Sequence, residues 1–105
     1  MATLEAALGL CRRAGKLTMG TPLVLEAVKK GKAALVLLAS DVSEQTAEKI
    51  TVLCGHKSVP CRKIGLNKGE LSRAVGLERE TGAVAVPKEF LALVEAATSE
   101  VKNEE

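Results

Sequence analysis

Six basic side chains gather in the first third of this chain, and their spacing points to phosphate chemistry. Residues 1–32 carry Arg12, Arg13, Lys16, Lys29, Lys30 and Lys32 against Glu5 and Glu26, a net of +4. Residues 33–105 carry nine basic and eleven acidic groups, a net of −2. Four of the lysines bracket a single short segment that begins Gly20-Thr21-Pro22 and closes at Gly31. Thr21 is suited to cap a helix, and Pro22 to occupy its first position, where its missing N–H would have no partner. A helix start flanked by ammonium groups forms a basic patch for an anionic partner. The plainer reading of the same residues is a solvated face.

Other site chemistries are poorly supplied. His56 is the lone histidine and falls at an expected helix end, where an imidazolium meets terminal carbonyls. Cys11, Cys54 and Cys61 are odd in number, without paired metal-ligand spacing, and read as reduced, partly buried thiols of an intracellular protein. No metal and no cofactor is expected. There is no Gly-x-Ser-x-Gly elbow and no phosphate loop followed by lysine. Asp41, at the end of an expected strand, has two readings, a catalytic carboxylate or a helix cap, and the cap is favoured. Glu70 divides the same way. The chain is read as no enzyme. Phe90 is the only aromatic residue, so a platform that stacks bases on aromatic rings is excluded.

The elements that must position these groups follow from periodicity. Leu4, Ala7, Leu8 and Cys11 give residues 2–14 one apolar helical face, ended at Gly15. A short edge strand is expected at 17–19 and a helix at 22–31. Residues 33–39, Ala-Ala-Leu-Val-Leu-Leu-Ala, form an unbroken apolar run of strand length, as in a strand covered on both faces. A third helix over 43–56 is capped by Asp41 or Ser43. Pro60 opens a strand at 60–64. Asn67 with Glu70 has the form of a capping box for a helix reaching Val75. A last strand spans 81–86 and a last helix 88–98. Alternating helices and strands around one fully apolar strand predict an α/β fold, a small mixed sheet with helices on both faces. Residues 1–98 form one domain, and 99–105 a charged tail that frays. No run approaches membrane-spanning length, so a cytoplasmic location is expected.

The chain resembles the kink-turn RNA-binding superfamily of ribosomal proteins, the L-seven-Ae and L-thirty-e group, nearest to its small bacterial YlxQ-type members. The resemblance spans about residues 4–95. It rests on Gly20-Thr21, on Ala27-Val28-Lys29-Lys30-Gly31-Lys32-Ala33, on Leu35 to Ala39 with Asp41, on Val59-Pro60, and on Lys68 to Gly76. It implies a three-layer α/β/α sandwich around a four-stranded mixed sheet, and binding of structured RNA, ribosomal RNA among the candidates. Kink-turn binders of the family carry Gly-x-Asn-Glu-x-x-Lys at this helix start. The matching positions here are Gly20, Pro22, Leu23 and Glu26, so only the glycine is kept. Losing two base-reading contacts removes about 2–6 kcal/mol at about 1–3 kcal/mol each. The family also lays a short apolar loop against flipped-out bases, and the matching segment is Leu77 to Thr81.

The favoured reading is a non-catalytic binder of structured RNA with a degenerate base-reading motif. Its contacts would be Lys16, Gly20, Thr21, Lys29, Lys30, Lys32 and Leu77. The alternative is a protein-interaction or dimerisation module on the same fold, docking through Leu23. For Leu77 a helix-end contact closing the core stands beside the RNA role.

Overall fold

A computed structural model describes residues 3–101. The helices are α1 (Leu4–Arg13), α2 (Thr21–Lys29), α3 (Glu44–Lys57), α4 (Lys68–Ala74) and α5 (Leu91–Val101), with a 3-10 turn at Lys88–Phe90. The strands are β1 (Thr18–Met19), β2 (Leu35–Leu38), β3 (Cys61–Lys63) and β4 (Ala83–Val86). Of the charged tail expected at 99–105, the backbone to Val101 continues α5, and residues 102–105 lie outside the described residues.

The strand order is β1-β4-β2-β3. β2 runs parallel to β3 and antiparallel to β4, and β1 pairs antiparallel with β4, so the sheet is mixed and four-stranded as expected. β2 is buried at every position. Its side chains alternate between two cores, the period-two geometry of a strand. Leu35, Leu37, Val84 and Val86 meet α1, α4 and α5 through Leu4, Leu8, Leu71 and Val94. Val36, Leu38, Ala83 and Ala85 meet α2 and α3 through Val24, Val28, Ile50 and Cys54. The result is an α/β/α sandwich. At about 1.5–3 kcal/mol per buried aliphatic side chain, these two cores are the main stabilising contribution.

Local signals explain most boundaries. Ser43, not Asp41, caps α3, accepting from the Thr46 amide at 3.2 Å. The Asp41 carboxylate instead accepts from the Lys68 amide at 2.8 Å and so serves the start of α4, 27 residues away. The capping box is complete: Asn67 accepts from the Glu70 amide at 2.8 Å, and the Glu70 carboxylate accepts from the Asn67 amide at 2.9 Å. α2 stops where Gly31 follows its last turn: the Gly31 amide reaches the Val28 carbonyl and the Lys32 amide the Ala27 carbonyl.

Candidate nucleic-acid interface

Gly20, not Thr21, is the N-cap of α2. Its φ of 97° lies in the region that only glycine occupies without strain. Its amide donates to the Ala83 carbonyl at 3.1 Å and its own carbonyl accepts from Val24 at 2.9 Å, so the helix start is fastened to the head of β4. Thr21 becomes the first helical residue and Pro22 the second. With no side chain on the cap, nothing local accepts from the first-turn amides. Thr21 and Leu23 thus present N–H groups at the positive end of the helix dipole, and Pro22 presents none.

Across from this helix start lies the segment joining α4 to β4. Gly76, at φ 77°, ends α4 and turns the chain. The Leu77 amide then bonds the Ser72 carbonyl at 2.9 Å. Further on, the Thr81 amide donates to the Ser72 hydroxyl at 2.7 Å, and that hydroxyl donates to the Lys68 carbonyl at 2.7 Å. The Thr81 hydroxyl in turn bonds the Ala83 carbonyl at 3.0 Å. Ser72 and Thr81 are both buried. The loop is therefore held at both ends, with Glu78, Arg79 and Glu80 exposed between.

Between helix start and loop is a groove of about 600 Å³. Its lining includes Gly20, Thr21 and Leu23 on one side and Leu77, Arg79 and Glu80 on the other. Leu77 packs partly buried against the core, and it also lines the groove. Leu23 is 60% exposed. Met19 and Gly82 also line the groove, and no sequence signal marked them, because strand pairing alone brings β1 and β4 together.

The lysines divide between places. Lys29, Lys30 and Lys32 sit at the far end of α2, about 13 Å from Gly20 at 1.5 Å per helical residue. Lys30 is bound to Glu26 at 2.9 Å, one turn back on the same helix. That hydrogen bond and charge hold the Glu26 carboxyl below its usual range, with Lys29 and Lys32 adding to the effect. Lys30 and Lys32 border a second recess beside β1 with Leu23 and Glu26, while Lys29 faces a third, shared with Lys57 and Ser58. Lys16 pairs with Glu89 at 3.7 Å. Among the described residues, Lys29 and Lys32 have no carboxylate partner within 4 Å. Gly20, Thr21 and Leu77 are thus brought together; Lys30 and Lys32 line a recess that shares Met19 and Leu23 with the groove, whereas Lys16 and Lys29 line neither.

Burial raises the thiols. Cys11 is pushed up to about 11 by desolvation, with Glu89 adding, and Cys54 to about 12 by desolvation, with Cys61 adding. Neither is a nucleophile near neutral pH. Among the described residues, no three His, Cys, Asp or Glu side chains gather at metal-binding distance, and no helix is long and apolar enough to cross a membrane.

Helices on both faces of a four-stranded mixed sheet, with a groove between the start of α2 and the loop after α4, define an α/β/α sandwich of the ribosomal-protein type. The chain belongs to the Ribosomal protein L7Ae/L30e/S12e/Gadd45 family, whose model matches residues 2–93. It is 39% identical over 71 residues to the RNA-binding protein YlxQ of Bacillus subtilis (strain 168), covering 68% of this chain and 70% of that protein. It is 33% identical over 73 residues to the RNA-binding protein YlxQ of Enterococcus faecium, covering 70% of each. A solved structure of a protein with unknown function from Bacillus halodurans superposes with a TM-score of 0.85 at 32% identity, over 94% of this chain and 99% of that one. The Giardia lamblia 15.5kD RNA binding protein superposes with a TM-score of 0.78 at 24% identity, over 93% and 82%, a likeness of fold alone.

Proposed function

We propose that this chain is a non-catalytic, cytoplasmic binder of structured RNA, which it seats in the groove between the start of α2 and the loop from Leu77 to Gly82. One observation carries the reading. Leu77 is far in sequence from Gly20 and Thr21, yet all three line a single groove, in a family whose relatives include proteins named for RNA binding. The Thr21 and Leu23 amides suit phosphate oxygens, and the apolar surface of Leu77, Leu23 and Met19 suits the face of an unstacked base. Pro22, Leu23 and Glu26 supply no base-edge hydrogen bonds of the kind expected from Asn, Glu and Lys. Binding therefore depends on shape and phosphate more than on sequence.

Mobility shift with a labelled kink-turn RNA and a plain RNA duplex at low salt tests this. Binding at tens of micromolar or tighter, weakening steeply with salt, is the expected result. No shift with either RNA overturns the reading. Restoring Asn, Glu and Lys at positions 22, 23 and 26 is expected to tighten the kink-turn complex without tightening the duplex complex. A protein-docking or self-association role through the exposed Leu23 is the second reading. A lysate partner that persists after ribonuclease digestion, or a Leu23-dependent dimer in sedimentation, would favour it.

A further inference from the structure

A group of positive charge without carboxylate partners among the described residues lies away from the start of α2, and it includes two of the six basic groups of the first third. Arg12 and Arg13 close α1, and Arg73 closes α4. The two helices pack against each other on one face of the sheet. Together with Gly9, Val75 and Gly76, the three arginines line an open recess of about 300 Å³. All three are exposed, and among the described residues none has a carboxylate within 4 Å.

Cations at helix ends have a structural use, because they complement the terminal carbonyls. Here that use accounts for one hydrogen bond. The Arg12 Nε donates to the Val75 carbonyl at 3.1 Å, one turn beyond the middle of α4. This bond orients the Arg12 guanidinium, and among the described residues its two terminal nitrogens make no hydrogen bond. Among the described residues, the Arg13 and Arg73 side chains make no hydrogen bond to the protein. Three arginines, one of them already oriented, present the planar fork that binds phosphate oxygens in pairs. Two of the lysines are less available: Lys30 is held by Glu26 and Lys16 by Glu89.

The recess and the groove meet at one turn of the chain. Gly76 lines the one and Leu77, the next residue in the chain, lines the other. We propose that Arg12, Arg13 and Arg73 form a phosphate-docking surface that carries the RNA backbone onward from the groove at the start of α2. The inference rests on the RNA-binding reading above and names the surface that supplies its electrostatic affinity.

The test compares salt titrations of the same kink-turn RNA with wild type, with Arg12→Gln/Arg13→Gln/Arg73→Gln, and with Lys49→Gln/Lys63→Gln/Lys88→Gln. The last variant removes three exposed positive charges elsewhere. Each phosphate contact contributes about 0.7–0.9 to the slope of log affinity against log salt. The arginine variant is expected to flatten that slope by about 2 and to weaken binding at low salt at least about tenfold, well beyond the lysine variant. A slope unchanged by the arginine substitutions, or reduced equally by the lysine control, overturns the inference and leaves the RNA reading standing. Wild type that binds no RNA overturns both. Should the triple arginine variant lose its fold, Arg13→Gln/Arg73→Gln keeps the Arg12–Val75 bond and decides the matter, with an expected flattening of about 1.5.

Discussion

Ser72→Ala removes one oxygen atom from α4, and its effect is expected at the groove. Among the described residues that hydroxyl is the only acceptor for the Thr81 amide, at 2.7 Å, in a site where both residues are at most 5% exposed. The second bond, to the Lys68 carbonyl, is dispensable because that carbonyl belongs to the helix ladder. A buried amide left without an acceptor costs about 1–3 kcal/mol. The better helix propensity of alanine offsets a few tenths of a kcal/mol. The unfolding entropy of a domain this size is about 0.2 kcal/mol per degree. The melting temperature should therefore fall by about 3–13 °C. The loop from Leu77 to Thr81 should loosen as well, which is read as faster hydrogen exchange at the Thr81 amide and faster dissociation of bound RNA. A variant that melts within about 1 °C of wild type, with the Thr81 amide still protected, would refute the account of how the loop is held.

Three other outcomes are expected. Glu26→Lys breaks the pair with Lys30 and reverses a charge near the groove, so RNA affinity should rise and the salt slope steepen by about 0.7–0.9 per new phosphate contact, measured by mobility shift. Gly76→Ala places a Cβ at φ 77°, costing about 1–2 kcal/mol, and should lower the melting temperature by calorimetry while displacing Leu77. The stability contributed by the neutral Cys11 and Cys54 thiols is fully present below about pH 9. It should be lost as pH rises toward their folded values of about 11 and 12, because the unfolded chain then releases protons that the folded chain keeps. Chemical denaturation across that range checks it, and Cys54→Ala should reduce the fall.

What the amino-acid sequence determined by itself is whatever short-range physics controls. The run from Leu35 to Leu38 reads as a strand covered on both faces because no position in it tolerates water. Asn67 with Glu70, and Gly31 after α2, mark helix ends because capping depends on residues three or four apart. With those elements in place, the α/β/α arrangement and the family likeness follow. The placement of Gly20 at a helix start and of Leu77 after a helix end was legible for the same reason.

Only the tertiary structure decided which of these meet. Asp41 looked like a cap for the helix beside it and instead serves α4, because the bond from the Ser40 amide to the Leu66 carbonyl holds the loop after β2 against the loop before α4. Thr21 yields the cap position to Gly20, whose positive φ and bond to Ala83 arise only when β4 is in place. The lysines look like one patch along the chain, yet a rigid helix holds Lys29, Lys30 and Lys32 a full helix length from Gly20 and hands Lys30 to Glu26. Arg73 joins Arg12 and Arg13 although some sixty residues separate them, since α1 and α4 share one core. Local sequence sets which segments form and where they stop, whereas charge and groove are properties of surfaces, assembled from segments that only the buried cores bring side by side.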